Sequence, residues 1–212
     1  KNYKEIIETT NQAIDWAAAN NMNVVYIRHH NLSAGTRTFK PDTRGAEFVP
    51  ELKIVSDHIF TKTKSNALTS EEFAAFVTAH NITEFFIAGA DATACIKSTC
   101  YNMTKEGYAV HVLSDCITSY DKKKLPEMLE YYASKGCTVD KLSEIMREFH
   151  TGRFFCRNNH NEPTSLNKQG DIQMNVTYEH RPAMTFIGFS TPIRPTAVFT
   201  AVGRNLVGYL LF

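Results

Sequence analysis

The stretch Phe85-Phe86-Ile87-Ala88-Gly89-Ala90-Asp91-Ala92-Thr93-Ala94-Cys95 decides the fold of this chain. Its four leading apolar residues predict a strand covered on both faces, and the small residues after them predict a turn. Residues 96–106 then show the apolar spacing of a helix. A thiol at a strand-to-helix turn lies where the positive end of the helix dipole favours a thiolate. Cys95 is therefore a candidate nucleophile.

The same alternation of strand and helix extends on both sides of this stretch. Strands are predicted at residues 24–27, 59–60, 85–88, 109–113 and 137–139, and helices at 2–19, 96–106, 125–132 and 142–149. A further helix is predicted to begin at a capping box formed by Thr69 and Glu72. Strands that alternate with helices in this way predict an α/β domain with a mostly parallel sheet over residues 1–149.

Residues 150–212 have a different character. They contain four prolines and several Asn-rich turns, and no helical pattern is convincing. Candidate strands lie at 174–178, 184–189, 197–201 and 206–212. We interpret this part as a β-rich C-terminal extension whose role no pattern indicates.

The composition excludes several classes of function. The chain has 23 Lys and Arg against 22 Asp and Glu, so neither nucleic acid nor an anionic membrane is expected as a partner. We find no apolar run of membrane-spanning length and no leader pattern before the first helix. The five cysteines form no CxxC motif and are scattered relative to the histidines, which disfavours a zinc site. Reduced thiols in the cytoplasm are the better interpretation.

Residues 89–99 resemble the nucleophile turn of the isochorismatase-like cysteine hydrolases, which include nicotinamidases and N-carbamoylsarcosine amidases. The shared pattern is a Gly, five variable small residues, Cys, an apolar residue, and a Thr one helical turn after the Cys. Residues 107–115 resemble the strand that follows, residues 62–68 the lysine loop, and residues 45–52 the segment before that loop. The resemblance runs from about residue 3 to about residue 145. It implies a three-layer α/β/α fold with a six-stranded parallel sheet, assembled as a dimer or tetramer.

The resemblance also implies a chemistry. Members of this family cleave an amide-type C–N bond of a small molecule with an Asp, Lys and Cys triad and without an organic cofactor. Here Cys95 is the expected nucleophile, which forms a thioester, and Lys62 is the expected cation beside it. The family's cis peptide maps to the bond between Ala90 and Asp91, and backbone N–H groups at this turn are expected to hold the oxyanion. Asn66, in the lysine loop, is placed on the substrate-binding side.

The family's Asp closes its first strand in an apolar-apolar-Asp-x-Gln pattern. This chain opens at the first helix, so that strand does not precede it, and the 1–149 domain is interpreted as N-terminally incomplete. The motif Asp171-Ile172-Gln173 follows no buried strand and is treated as chance. Residues 206–212 can fill the empty central strand position, but they end without an Asp.

A metal ion is not expected. Nicotinamidases carry an Asp-x-His group after the second strand, whereas Arg28-His29-His30-Asn31 lacks the carboxylate at the matching place. Adjacent histidines also point to opposite faces of a strand. His29 or His30 is instead expected to line the pocket, and Asp115 to cap a helix.

Two functions remain open from the sequence. The first is a cysteine-dependent hydrolase of a small amide, ureido or carbamoyl compound. The second is the same scaffold without its acid, acting as a binding or assembly module in which residues 150–212 supply the contact. Nucleotide binding is disfavoured because no GxGxxG follows a strand.

Overall fold

A computed structural model describes residues 3–151 and 154, together with the backbone of residues 183–184 and 207–209. The helices of this described part are α1 (Tyr3–Ala19), α2 (Glu71–Ala79), α3 (Cys95–Lys105), α4 (Leu125–Ser134) and α5 (Leu142–His150). Its strands are β1 (Asn23–Val24), β2 (Tyr26–His29), β3 (Ile59–Lys62), β4 (Ile82–Gly89), β5 (Ala109–Ile117), β6 (Thr138–Asp140), β7 (Ala183–Met184) and β8 (Val207–Tyr209).

Every strand pair in this described part is parallel. The larger sheet has the order β1-β8-β4-β5-β6, with β7 paired to the first residues of β4, and β2 and β3 form a second, two-stranded sheet. Parallel strands joined through helices confirm the α/β class predicted from the sequence. The carboxyl ends of β4 and β8 lie at one edge, because Ile87 pairs with Tyr209.

Two local predictions were wrong. The strand expected at residues 24–27 is split: Val24 pairs with Gly208 in the larger sheet, whereas Tyr26 pairs with Ile59 in the smaller one. An apolar run does not reveal where one ladder ends and another begins. The capping box at Thr69 does not form either, because the Thr69 hydroxyl donates to the Asn66 carbonyl and α2 begins two residues later.

The apolar core fills both faces of the larger sheet. Phe85 and Phe86 are both fully buried, and consecutive residues of a strand point to opposite faces. On one face, the Trp16 ring of α1 packs edge to face against Phe86 of β4 and Phe149 of α5, with ring centroids 5.8 and 5.3 Å apart. On the other face, α3 packs against β4, β5 and α4. The strands are therefore covered on both sides, as their apolar sequences predict.

Strand β8 lies between β1 and β4 in the middle of the larger sheet. Gly208 pairs with Val24 on one side and with Phe86 on the other. This is the central position that the sequence allowed residues 206–212 to fill. Cys156, the motif at 171–173, and the candidate strands at 174–178 and 197–201 lie outside the described residues.

Thr99 of α3 fixes the loop after β3 against that helix. Its buried hydroxyl accepts the backbone N–H of Ala67 at 2.8 Å and donates to the Ser65 carbonyl at 3.5 Å. Because Lys62 ends β3 and Cys95 begins α3, this hydroxyl sets the separation between the two elements. A Thr one helical turn after the Cys thus has a positioning role.

Replacing Thr99 by Val should destabilise the protein by about 1–3 kcal/mol, because it leaves the buried Ala67 N–H without its acceptor. The shape of the side chain is retained, so a packing effect is small. The Thr104→Val variant is the matched control in the same helix, since the Thr104 hydroxyl contacts only carbonyls of its own helix. That control should change stability by less than about 0.5 kcal/mol. Urea denaturation followed by circular dichroism measures both, and equal effects would contradict the positioning role.

Removing residues 152–212 should make the remaining chain aggregate. Without β8, strands β1 and β4 present unpaired backbone groups and apolar side chains in the middle of the sheet, which is a template for association. Size-exclusion chromatography with light scattering compares the shortened and complete chains at one concentration. A monodisperse shortened chain with an unchanged melting temperature would show instead that residues 1–151 fold alone.

Candidate active site

Lys62 and Cys95 meet at the carboxyl edge of the strands. The Lys62 Nζ atom lies 3.3 Å from the Cys95 Sγ atom, within hydrogen-bonding distance for sulfur. Both side chains are buried, with 1% and 5% of their surface exposed. Cys95 is the first residue of α3, where the helix dipole is positive. An ammonium group and a helix N-terminus therefore act on one sulfur atom.

The Lys62 amine contacts two further acceptors. It donates to the Lys64 carbonyl at 2.9 Å and lies 3.2 Å from His29 Nδ1. Burial lowers the pKa of Lys62, while the adjacent Cys95 acts in the opposite direction. A lysine with a lowered pKa loses its proton more readily than a solvated lysine.

His29 is the cross-strand neighbour of Lys62, since the two residues pair in the β2–β3 ladder. Burial, then the positive charge of Lys62 and then that of His30, lower the pKa of His29 to about 3. The imidazole is therefore neutral at physiological pH, so its Nδ1 atom can accept a hydrogen bond from the ammonium group. His30, the next residue, donates its backbone N–H to the Lys62 backbone carbonyl at 2.8 Å.

The turn between β4 and α3 contains a cis peptide bond between Ala90 and Asp91, at the position expected from the sequence. The Asp91 carbonyl accepts the backbone N–H groups of Ala94 and Ile96, each at 3.1 Å. Ala90 itself is buried, with 5% of its surface exposed. These bonds tie the turn directly to the start of the helix that carries Cys95.

The Asp91 carboxylate serves to hold this turn in place. It accepts hydrogen bonds from the Thr93 N–H at 2.6 Å, the Ser119 hydroxyl at 2.8 Å and the Tyr120 N–H at 2.6 Å, and it is 1% exposed. The segment after β5 is thereby joined to the turn before α3. No role for Ser119 was predicted from the sequence, and the signal that could have found it is a hydroxyl just beyond the end of β5.

The remaining predicted residues occupy capping positions. The Asn66 side chain accepts the Leu68 N–H at 3.1 Å and caps the short 3₁₀ helix Ala67–Thr69. The predicted contact of Asn66 with a substrate stays a prediction. Asp115 accepts the N–H of Leu142, the first residue of α5, at 2.9 Å, which confirms the predicted helix cap.

A shallow depression of about 310 Å³ lies on the outer face of α3, beside this centre. Neither Cys95 nor Lys62 lines it, so it is not the cavity in which a substrate would meet the sulfur. Its walls are formed by Ser65, Ala94, Lys97, Ser98, Tyr101, Asn102 and Tyr131.

The donor set at this centre does not fit a metal ion. Across residues 3–151 and 154, no three His, Cys, Asp or Glu side chains lie close enough together to hold one. The nearest imidazole, His29, directs Nδ1 to the Lys62 amine. Cys95, Cys100, Cys116 and Cys137 are buried, and none of them forms a disulfide bond within the described part of the chain. Among the described helices, none has the length and apolar character needed to cross a membrane.

Comparison with solved structures supports the same architecture. A candidate isochorismatase from Burkholderia xenovorans LB400 is 22% identical with a TM-score of 0.65, covering 70% of this chain and 76% of its own. N-carbamoylsarcosine amidase from Thermoplasma acidophilum is 17% identical with a TM-score of 0.57, covering 66% and 83%. Pyrazinamidase of Pyrococcus horikoshii, solved in complex with zinc, is 20% identical with a TM-score of 0.59, covering 66% and 86%. At these identities the similarity shows the fold alone.

A search of curated proteins gave no match. The family model of the isochorismatase domain matches residues 1–144, which is most of the chain and contains Lys62, the cis peptide and Cys95. The chain therefore belongs to the isochorismatase family of hydrolases.

Proposed function

We propose that this protein is a cysteine hydrolase that cleaves a C–N bond in a small amide, ureido or carbamoyl compound through a thioester. The observation that carries the proposal is the buried contact of 3.3 Å between Lys62 Nζ and Cys95 Sγ at the start of α3. Isochorismatases that cleave a vinyl ether need no cysteine, so the cysteine favours amide chemistry. Two of the structural relatives are an N-carbamoylsarcosine amidase and a pyrazinamidase, which also supports it.

Acylation begins with a proton transfer within the pair. The neutral Lys62 amine accepts the Cys95 proton, which gives a thiolate and an ammonium ion in contact. The thiolate attacks the substrate carbonyl carbon, the C–S bond forms, and the carbonyl oxygen becomes an oxyanion. Backbone N–H groups of the turn around Asp91 and Cys95 stabilise that charge. When the oxyanion collapses, the C–N bond breaks and the leaving nitrogen takes the proton from Lys62.

In deacylation, Lys62 again accepts a proton and then donates it. The neutral Lys62 amine accepts a proton from water while the water oxygen attacks the thioester carbon. The C–S bond then breaks, the acid is released, and the Cys95 sulfur regains its proton from Lys62. The sum is amide plus water giving acid plus ammonia or amine, and the enzyme returns to its initial state. Lys62 thus carries one proton in each half-reaction, which requires the lowered pKa that its burial causes.

Replacing Cys95 by Ser should reduce turnover by at least about a thousand-fold, and Lys62→Met by about a hundred- to ten-thousand-fold, because each removes one half of the pair. The assay is ammonia release from a panel of small primary amides and N-carbamoyl compounds. Cys137→Ser is the matched control, since Cys137 is 6% exposed against 5% for Cys95. Acid quenching and mass spectrometry should find Cys95 carrying the substrate acyl group.

Iodoacetamide labelling at mildly acidic pH separates this enzyme from a non-catalytic scaffold. Cys95 should be labelled faster than Cys137 because the two have nearly equal exposure and only Cys95 contacts an ammonium group. Lys62→Met should remove the difference. Equal labelling of the two thiols in the wild-type protein would contradict the hydrolase proposal and favour a binding or assembly module.

A further inference from the structure

We propose that His29 is a positioning residue for Lys62: its neutral imidazole accepts one N–H of the ammonium group and thereby holds the proton on the lysine while Cys95 is a thiolate. This inference rests on the proposed function, because it concerns the same thiolate–ammonium pair. His29 has no role in the triad that the resemblance implies, and its contact with Lys62 could not be predicted from the sequence alone.

The geometry of the β2–β3 ladder supports this role. His29 and Lys62 are paired residues of adjacent parallel strands, and their side-chain nitrogens lie 3.2 Å apart. An ammonium group has three N–H donors, and here the Cys95 sulfur, the Lys64 carbonyl and the His29 Nδ1 atom are three acceptors. Three acceptors around one buried nitrogen both orient it and stabilise its charged form.

The surroundings of His29 keep it neutral and in place. Its ring packs edge to face against that of Phe39, with centroids 5.4 Å apart. The charges that act on it are those of Lys62 and His30, whereas Arg28, Asp42 and Glu47 act on His30. A protonated imidazole has no acceptor at Nδ1 and would repel the ammonium group, so the arrangement requires the neutral ring.

Removing this acceptor destabilises the ammonium form of Lys62 and therefore the thiolate that depends on it. His29→Leu should slow iodoacetamide labelling of Cys95 at neutral pH by about tenfold, which corresponds to one lost hydrogen bond to a charged group. Labelling should recover at alkaline pH, so the pH–rate profile of Cys95 moves upward by about one pH unit. His29→Asn should restore the wild-type rate, because its amide oxygen can replace Nδ1 as the acceptor.

His30→Leu is the matched control. It removes the imidazole of the next residue, which follows β2, and the backbone N–H that donates to the Lys62 carbonyl remains. Its labelling profile should stay within about twofold of wild type, because the Nδ1 acceptor of His29 is kept. Should His29→Leu fail to fold, His29→Ala tests the same loss of the acceptor.

A second readout does not depend on reactivity. Because the pKa of His29 is about 3 in the folded protein and about 6.5 in the unfolded chain, the unfolded chain binds more protons between these values. This contribution to stability is present above pH 6.5 and is lost as the pH falls towards 3. Urea midpoints measured across that range should therefore fall less steeply for His29→Asn than for wild type.

The outcomes distinguish the two proposals. If Lys62→Met slows labelling of Cys95 while His29→Leu and His29→Ala leave it unchanged, the positioning role is overturned and the hydrolase proposal stands. If Lys62→Met also leaves labelling unchanged, the pair does not hold a thiolate and the hydrolase proposal fails first. A rate for His29→Asn as low as that for His29→Leu would contradict the role of Nδ1 as the acceptor.

Discussion

A buried amine within hydrogen-bonding distance of a buried sulfur is the constraint on which the rest of this site depends. Placing an ammonium ion in the interior is costly unless a negative partner and further acceptors surround it. Lys62 has such a partner only because β3 delivers it to the edge at which β4 leads into Cys95. A buried lysine alone would be unfavourable, whereas a buried thiol is not, and together they form a reactive pair.

Hydrogen bonds around the pair keep the two elements at this distance. The Thr99 hydroxyl fastens the loop after β3 to α3, and the Asp91 carboxylate fastens the turn before α3 to the segment after β5. These two attachments act on the same helix from different sides. The distance between Lys62 and Cys95 therefore depends on the loops and turns at this edge of the sheet as well as on the two reacting side chains.

Local patterns in the sequence were sufficient to predict most of the elements in residues 3–151, because amphipathic spacing is a property of short segments. They were insufficient wherever the outcome depends on pairing between distant strands. The break at Val25 follows from two different partners, and neither partner is visible in the run that contains it. For the same reason, the sequence could not tell which of His29 and His30 faces the lysine, since alternation fixes only that they differ.

The central strand position shows most clearly why pairing matters for the chemistry. Strand β8 comes from the far end of the described chain, yet it lies between β1 and β4, and its last described residue, Tyr209, pairs with Ile87. Ile87 is only two residues before the Gly89 at which β4 ends and the turn to Cys95 begins. In parallel sheets, ligands bind at the carboxyl ends of the strands, so the end of β8 opens onto the same edge as the sulfur. The segment that looked least like a hydrolase in sequence therefore contributes a central strand to the sheet whose edge carries the candidate active site.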